Sequence, residues 1–215
     1  MDRLYPGWGF YLEGKKMKHV RNIPICANTL FIYKLDIKDD LTLKFTEEEF
    51  KPSTMSAWGT SLIGKDLNIL KKYKELNEEI NKAINETIKK ILRLENTNYR
   101  VYSSWLTKTK SKGFSGSHFH ANSWLSGIYY PVSDPGFCVK FFFDNKSQFK
   151  ARPIEMNMYN SNECMIIPED NFLILFFSQL RHKIMPNLSK KDRFSLSFNL
   201  LPKGEFGEGD SKTIF

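Results

Sequence analysis

Near residue 97 the hydrophobic pattern of this chain changes its period, and that change limits the folds open to it. Between Lys65 and Leu94 there is neither Gly nor Pro. Apolar side chains recur there at Ile69, Leu70, Tyr73, Leu76, Ile80, Ile84, Ile88, Ile91 and Leu92, mostly in steps of three and four. Such steps make one apolar stripe on a helix or helix pair, with Lys and Glu outside and Asp66 as the candidate N-cap. After Asn98 the step becomes two: Tyr99, Val101 and Ser103 alternate with Arg100, Tyr102 and Ser104. Short runs then alternate with turn signals at 112–113, 133–136, 144–146, 168–171 and 186–187. The predicted strands are 99–107, 117–132, 137–143, 163–168, 172–178, 181–185 and 193–201. Many short strands after a helical segment predict a mainly β chain with supporting helices (α+β), a barrel or jelly roll braced by a long helix or helix pair.

Upstream, Phe31, Tyr33, Leu35 and Ile37 share the face of a strand over 29–37, which Asp39 and Asp40 end. Residues 41–64 read as loops with a short helix near 47–50. The aromatic-rich, Gly-rich segment 1–14 reads as an irregular arm, 146–162 as a long loop, and the tail from Lys203 as irregular. A length of 215 residues suits one domain. Its expected parts are an arm, strand and helices over 1–98, a β core over 99–202 and the tail over 203–215. No apolar run has the length of a membrane span and no signal segment is visible, so a soluble cytoplasmic protein is expected. Cys26, Cys138 and Cys164 form no CxxC pair and read as free thiols in a reducing compartment. The net charge of +8 comes from scattered lysines, so neither nucleic acid nor a membrane is an expected partner, while a homodimer is allowed.

Of four histidines, two stand one residue apart at His118 and His120, and a third is His182. Residues two apart on a strand point the same way, so His118 and His120 can share one metal ion. The same parity runs on through Asn122, Trp124, Ser126, Ile128 and Tyr130. An HxH pair alone is weak support for a metal, and imidazole suits Fe, Zn, Cu and Ni alike. Weight comes from the combination with His182 and with the strand that opens at Arg193. There Phe194, Leu196, Phe198 and Leu200 make an apolar face, and Arg193, Ser195, Ser197 and Asn199 a polar one. If both faces are covered, the polar one lines a wet cavity. An Arg held in such a cavity calls for an anion, and its planar fork suits a carboxylate.

With Trp105, these blocks are His118-Phe-His120, 126–130 (Ser-Gly-Ile-Tyr-Tyr), 176–182, Pro186-Asn187 and 193–199. Together they resemble the Fe(II)- and 2-oxoglutarate-dependent dioxygenases, in a branch similar to prolyl hydroxylases. The resemblance covers residues 99–202. It implies a double-stranded β-helix, the cupin-like jelly roll, for the core. It also implies that His118 and His182 ligate Fe(II), and that Arg193 pairs with the distal carboxylate of 2-oxoglutarate, with Ser197 and Tyr130 beside it. The family pattern has a carboxylate where this chain has His120, so the implied site is a three-histidine one. Asp134 and Asp144 lack the spacing to replace it. The implied reaction consumes O₂ and 2-oxoglutarate, releases succinate and CO₂, and hydroxylates an unknown protein, peptide or small molecule. Trp105, Trp124 and the 146–162 loop are candidates to shape the substrate pocket. Two alternatives stay open: a cupin-like three-histidine dioxygenase without 2-oxoglutarate, and a non-catalytic jelly-roll binding module.

Overall fold

The computed structural model describes residues 28–53, 59–94, 97–143, 154–155, 157 and 160–214. The segment 1–14, Cys26, Asp144 and most of the 146–162 loop lie outside the described residues. The chain enters through β1 (Leu30–Lys34), α1 (Leu41–Thr46), β2 (Phe50–Pro52) and β3 (Leu62–Gly64). A 3-10 turn (Ile69–Lys72) leads into α2 (Lys74–Glu86), whose end widens into a π-turn over Thr87–Ile91. The strands that follow are β4 (Asn98–Thr109), β5 (Ser115–His118), β6 (Leu125–Tyr130), β7 (Val139–Phe142), β8 (Glu163–Ile166), β9 (Phe172–Phe177), β10 (His182–Ile184) and β11 (Arg193–Lys203). A small hairpin, β12 (Glu205–Phe206) with β13 (Thr213–Ile214), closes the chain where an irregular tail was expected.

One antiparallel sheet has the order β1-β9-β6-β11-β4-β3-β2, the other β5-β10-β7-β8. The two sheets pack face to face as a jelly roll. Between them lie Ile128, Tyr130, Val139, Phe141, Ile174, Phe176, Leu180 and Ile184. The outer face of the larger sheet is covered by the helical segments. There Leu76, Ile80, Ile84 and Ile88 meet Leu125, Leu173, Leu175, Leu196, Phe198 and Leu200. Each such side chain contributes about 1.5–3 kcal/mol by leaving water. Gly127 belongs to this contact: a Cβ there would stand 2.1 Å from Phe198 Cζ and 2.8 Å from Leu175 Cδ2. The alternation read at 31, 33, 35 and 37 holds, since all four side chains join this core, although pairing ends at Lys34.

Several boundaries differ from the sequence reading, each for a local reason. Asp40 does not merely end a strand; its side chain accepts from Thr42 N–H at 3.0 Å and caps α1, so the short helix comes earlier than 47–50. Asp66 accepts from Asn68 N–H at 2.7 Å, which makes a turn before the 3-10 segment, and α2 starts at Lys74 with no side-chain cap. The strand expected over 117–132 is two strands in different sheets. The chain turns between them, with Asn122 at φ 56°, a conformation Asn tolerates well. Parity therefore does not carry across the turn, and Trp124 packs against the outer, helix-side core instead of the inner face.

Candidate active site

Strand pairing brings the histidines together. His182 opens β10 and lies directly opposite His118, the last residue of β5. His120 lies just past β5, where its N–H donates to Ser178 O at 2.9 Å. The ring centroids are 4.4 Å apart for His118 and His182, 5.1 Å for His120 and His182, and 5.5 Å for His118 and His120. One ligand atom from each of the three lies within 4.8 Å of the others. His118 and His120 thus converge as expected, but through the end of a strand and a turn, not one continuous strand.

Their hydrogen bonds select the same tautomer in all three rings. Nδ1 of His118 lies 2.8 Å from Gly116 O, and Nδ1 of His182 lies 3.1 Å from Leu180 O. Nδ1 of His120 lies 2.6 Å from Asn199 Oδ1 and 2.9 Å from Ser126 Oγ. A carbonyl oxygen only accepts, so each Nδ1 carries the proton and each Nε2 keeps its lone pair. Phe176 and Phe141 pack against His182, and Trp105 against His120. Burial lowers the His120 pKa from 6.5 to about 4; the Asn199 hydrogen bond opposes this and the neighbouring His118 adds to it. Burial likewise holds His182 well below its ordinary value, reinforced by His118 and His120. Both rings are neutral near pH 7, the state in which imidazole binds a metal.

A cavity of about 320 Å³ opens on the three rings. Its walls include Trp105, Thr107, Ile128, Ile184, Ser195, Ser197 and Asn199. The polar side of β11 thus lines a cavity, as expected from its alternation. Trp105 shapes that cavity and Trp124 does not.

Two of the expected anion-binding residues lie beyond this lining. Arg193 is one inward position past Ser195 on β11, and Tyr130 is one past Ile128 on β6. Arg193 is 1% exposed. Its Nη2 donates to Thr109 Oγ1 at 3.0 Å, and its guanidinium carbon lies 6.0 Å from the centre of the Phe137 ring. Its Nε and Nη1, and the Tyr130 hydroxyl, are buried without any partner. Burial lowers the Arg193 pKa, opposed by Tyr130 and Cys138, and burial raises that of Tyr130 to about 12, opposed by Arg193. The pair is therefore a guanidinium beside a neutral phenol. A buried cation with two unpartnered nitrogens is costly unless an anion completes it.

Sequence reading missed Thr109 and Ser61. Ser61 Oγ lies 2.8 Å from Thr109 Oγ1, accepts from Ser115 Oγ at 2.9 Å and donates to Phe114 O at 3.2 Å. With its own proton on that carbonyl, Ser61 accepts from Thr109, which leaves the Thr109 lone pairs for Arg193. Only the register of β4 against β11, Thr109 opposite Arg193, could have announced this. Ser126 and Asn199 had been placed on inward faces, but their bonds to His120 had not.

The donor set fits both groups that the sequence resemblance implies: three Nε2 lone pairs for Fe(II), and an incomplete cation with a phenol for a carboxylate. Residues 103–199 match the family described as "Putative 2OG-Fe(II) oxygenase". No curated protein matches the sequence. Among solved structures, the chain is similar to a Pseudomonas putida prolyl-4-hydroxylase, with TM-score 0.52 and 15% identity over 80% of this chain and 92% of that one. It is similar to a Trichoplax adhaerens prolyl hydroxylase in complex with a hypoxia inducible factor peptide fragment, with TM-score 0.57 and 12% identity over 81% and 84%. It is also similar to HygX from Streptomyces hygroscopicus with nickel, 2-oxoglutarate and hygromycin B bound, with TM-score 0.54 and 7% identity over 80% and 82%. At these identities the likeness shows the jelly-roll fold, and the family match over the strands that carry the histidines shows the chemistry. Through residues 103–199, this chain is a 2-oxoglutarate-dependent oxygenase whose cofactor is Fe(II).

Proposed function

We propose that the chain hydroxylates a C–H bond of a protein, peptide or small molecule, with His118, His120 and His182 holding Fe(II). Arg193, Ser197 and Tyr130 hold 2-oxoglutarate. When bound, the metal and co-substrate supply the oxidising chemistry: one atom of O₂ enters the substrate as hydroxyl, the other enters succinate, and CO₂ leaves. The residues of the chain do the positioning. The three Nδ1–H bonds fix the tautomer that leaves each Nε2 free to bind a metal. Arg193 and Tyr130 offer the N–H and O–H groups that a carboxylate completes, and Ser197 lies between them and the rings. Trp105, Ile128 and Ile184 keep the walls around the reacting atoms apolar. In this reading the helical segments between Ile69 and Ile91 brace the oxygenase core of 99–202.

The observation that carries the reading is the incompletely paired, buried guanidinium of Arg193 at the start of β11, whose next inward residues, Ser195, Ser197 and Asn199, line the same cavity as the three histidines. It favours 2-oxoglutarate over a cupin-like three-histidine dioxygenase, which has no use for a buried cation. It also disfavours a binding module that holds only a metal. Succinate formed from 2-oxoglutarate by the Fe(II)-loaded protein under O₂, and abolished by removing either Fe(II) or O₂, is the expected result. Substrate oxidation without any need for 2-oxoglutarate would establish the cupin-like alternative.

A further inference from the structure

The three imidazoles are not secured alike. His118 and His182 each donate to a backbone carbonyl two residues upstream, Gly116 O and Leu180 O, and no side-chain substitution removes such a partner. His120 has no such anchor. Its Nδ1 meets Asn199 Oδ1 at 2.6 Å and Ser126 Oγ at 2.9 Å, from positions 79 and 6 residues away in the chain. The same Asn199 oxygen accepts from Ser126 Oγ at 2.8 Å. Ser126 Oγ lies 2.7 Å from Ser178 Oγ, which in turn donates to Ser123 Oγ at 2.9 Å. His120, Ser126, Ser178 and Asn199 are buried between β6, β11 and the end of β9, and Asn199 pairs with Ser126 across β11 and β6. His120 itself sits beyond the last paired residue of β5.

We infer that Asn199 is the positioning residue for His120. Its side-chain oxygen keeps the proton on Nδ1 and so directs the Nε2 lone pair toward the other two rings. A hydroxyl such as Ser126 can donate as well as accept, so alone it does not select the tautomer. An amide oxygen does. The ring that stands where the family pattern has a carboxylate therefore depends on one remote side chain, and the other two do not. This rests on the proposal that the three histidines form the metal site.

Co(II) is the probe, followed by its visible absorption and its dissociation constant in the intact protein. Wild type is expected to take up one Co(II). Asn199→Leu and the smaller Asn199→Ala lack the acceptor and should bind about 10- to 100-fold more weakly, with a spectrum shifted toward that of His120→Ala. Asn199→Asp keeps an acceptor and should retain the wild-type spectrum, an outcome that a merely structural role for Asn199 does not require. Wild-type affinity and spectrum in Asn199→Ala or Asn199→Leu would overturn the inference, and so would loss of the spectrum in Asn199→Asp. Failure of wild type to bind Co(II), or undiminished binding in His182→Ala, would overturn the metal reading and this inference together. An intact His182 dependence with an indifferent position 199 would overturn this inference alone.

Discussion

The two ends of the polar interior between the sheets are finished to different degrees. At the histidine end every Nδ1 has a partner, and the three rings line an open cavity. At the Arg193 end, Nε, Nη1 and the Tyr130 hydroxyl are buried with nothing to bond to, one inward position past the residues that line that cavity. On the proposed reading the first end is preorganised, with the tautomer of each ring set before a metal arrives. On the same reading the second is completed by the co-substrate, because a buried cation left partly unpaired raises the energy of the empty protein.

The largest expected effect breaks the histidine end. His182→Ala should lower 2-oxoglutarate turnover by more than about a hundredfold, measured as succinate formed, because a ligand is lost and not merely an outer partner. Arg193→Met tests the other end. Removing a buried charge that a ligand pairs should weaken 2-oxoglutarate binding by about 2–5 kcal/mol. The ligand-free fold should meanwhile be unchanged or more stable by up to about 4 kcal/mol, read by thermal melting. A less stable protein with unaltered 2-oxoglutarate affinity would make the guanidinium a structural group and erase the contrast.

Acid should act on the histidine end of the metal-free protein. The folded pKa of His120 is depressed from 6.5 to about 4, so between those values the unfolded chain binds more protons. Stability is then full above about pH 6.5 and falls on acidification, by on the order of 3 kcal/mol at pH 4. His182 adds in the same direction. Chemical denaturation across that range checks this, and a stability that does not fall would contradict it. The smallest effect belongs to Tyr130→Phe, which removes an unpaired hydroxyl. Apo stability should hold while 2-oxoglutarate binds about fivefold more weakly, about 1 kcal/mol for one neutral hydrogen bond.

How much of this was legible depended on whether a feature was local. The alternation of 193–200 shows an apolar face for the helices and a polar face for the cavity, and β11 bears this out because period two is a property of consecutive residues. The stripe over 65–94 is legible for the same reason. The break between β5 and β6 was not, since Asn122 can sit at positive φ without Gly or Pro to announce it. His118 and His120 still converge because His182 pairs across from His118 and Ser178 anchors the His120 backbone. The Thr109–Arg193 and Asn199–His120 bonds span 84 and 79 residues. They exist only once strand register is set, and no spacing in the chain encodes register directly.

The central claim is that one end of this interior holds Fe(II) while the other binds the co-substrate carboxylate. Its most direct test is titration of 2-oxoglutarate into the anaerobic, Fe(II)-loaded protein, followed by visible absorption. The account predicts a new band that saturates at one 2-oxoglutarate per iron, requires a several-fold higher concentration in Tyr130→Phe and far more in Arg193→Met, and is absent in His182→Ala. An iron-loaded protein whose spectrum 2-oxoglutarate leaves unchanged would contradict it.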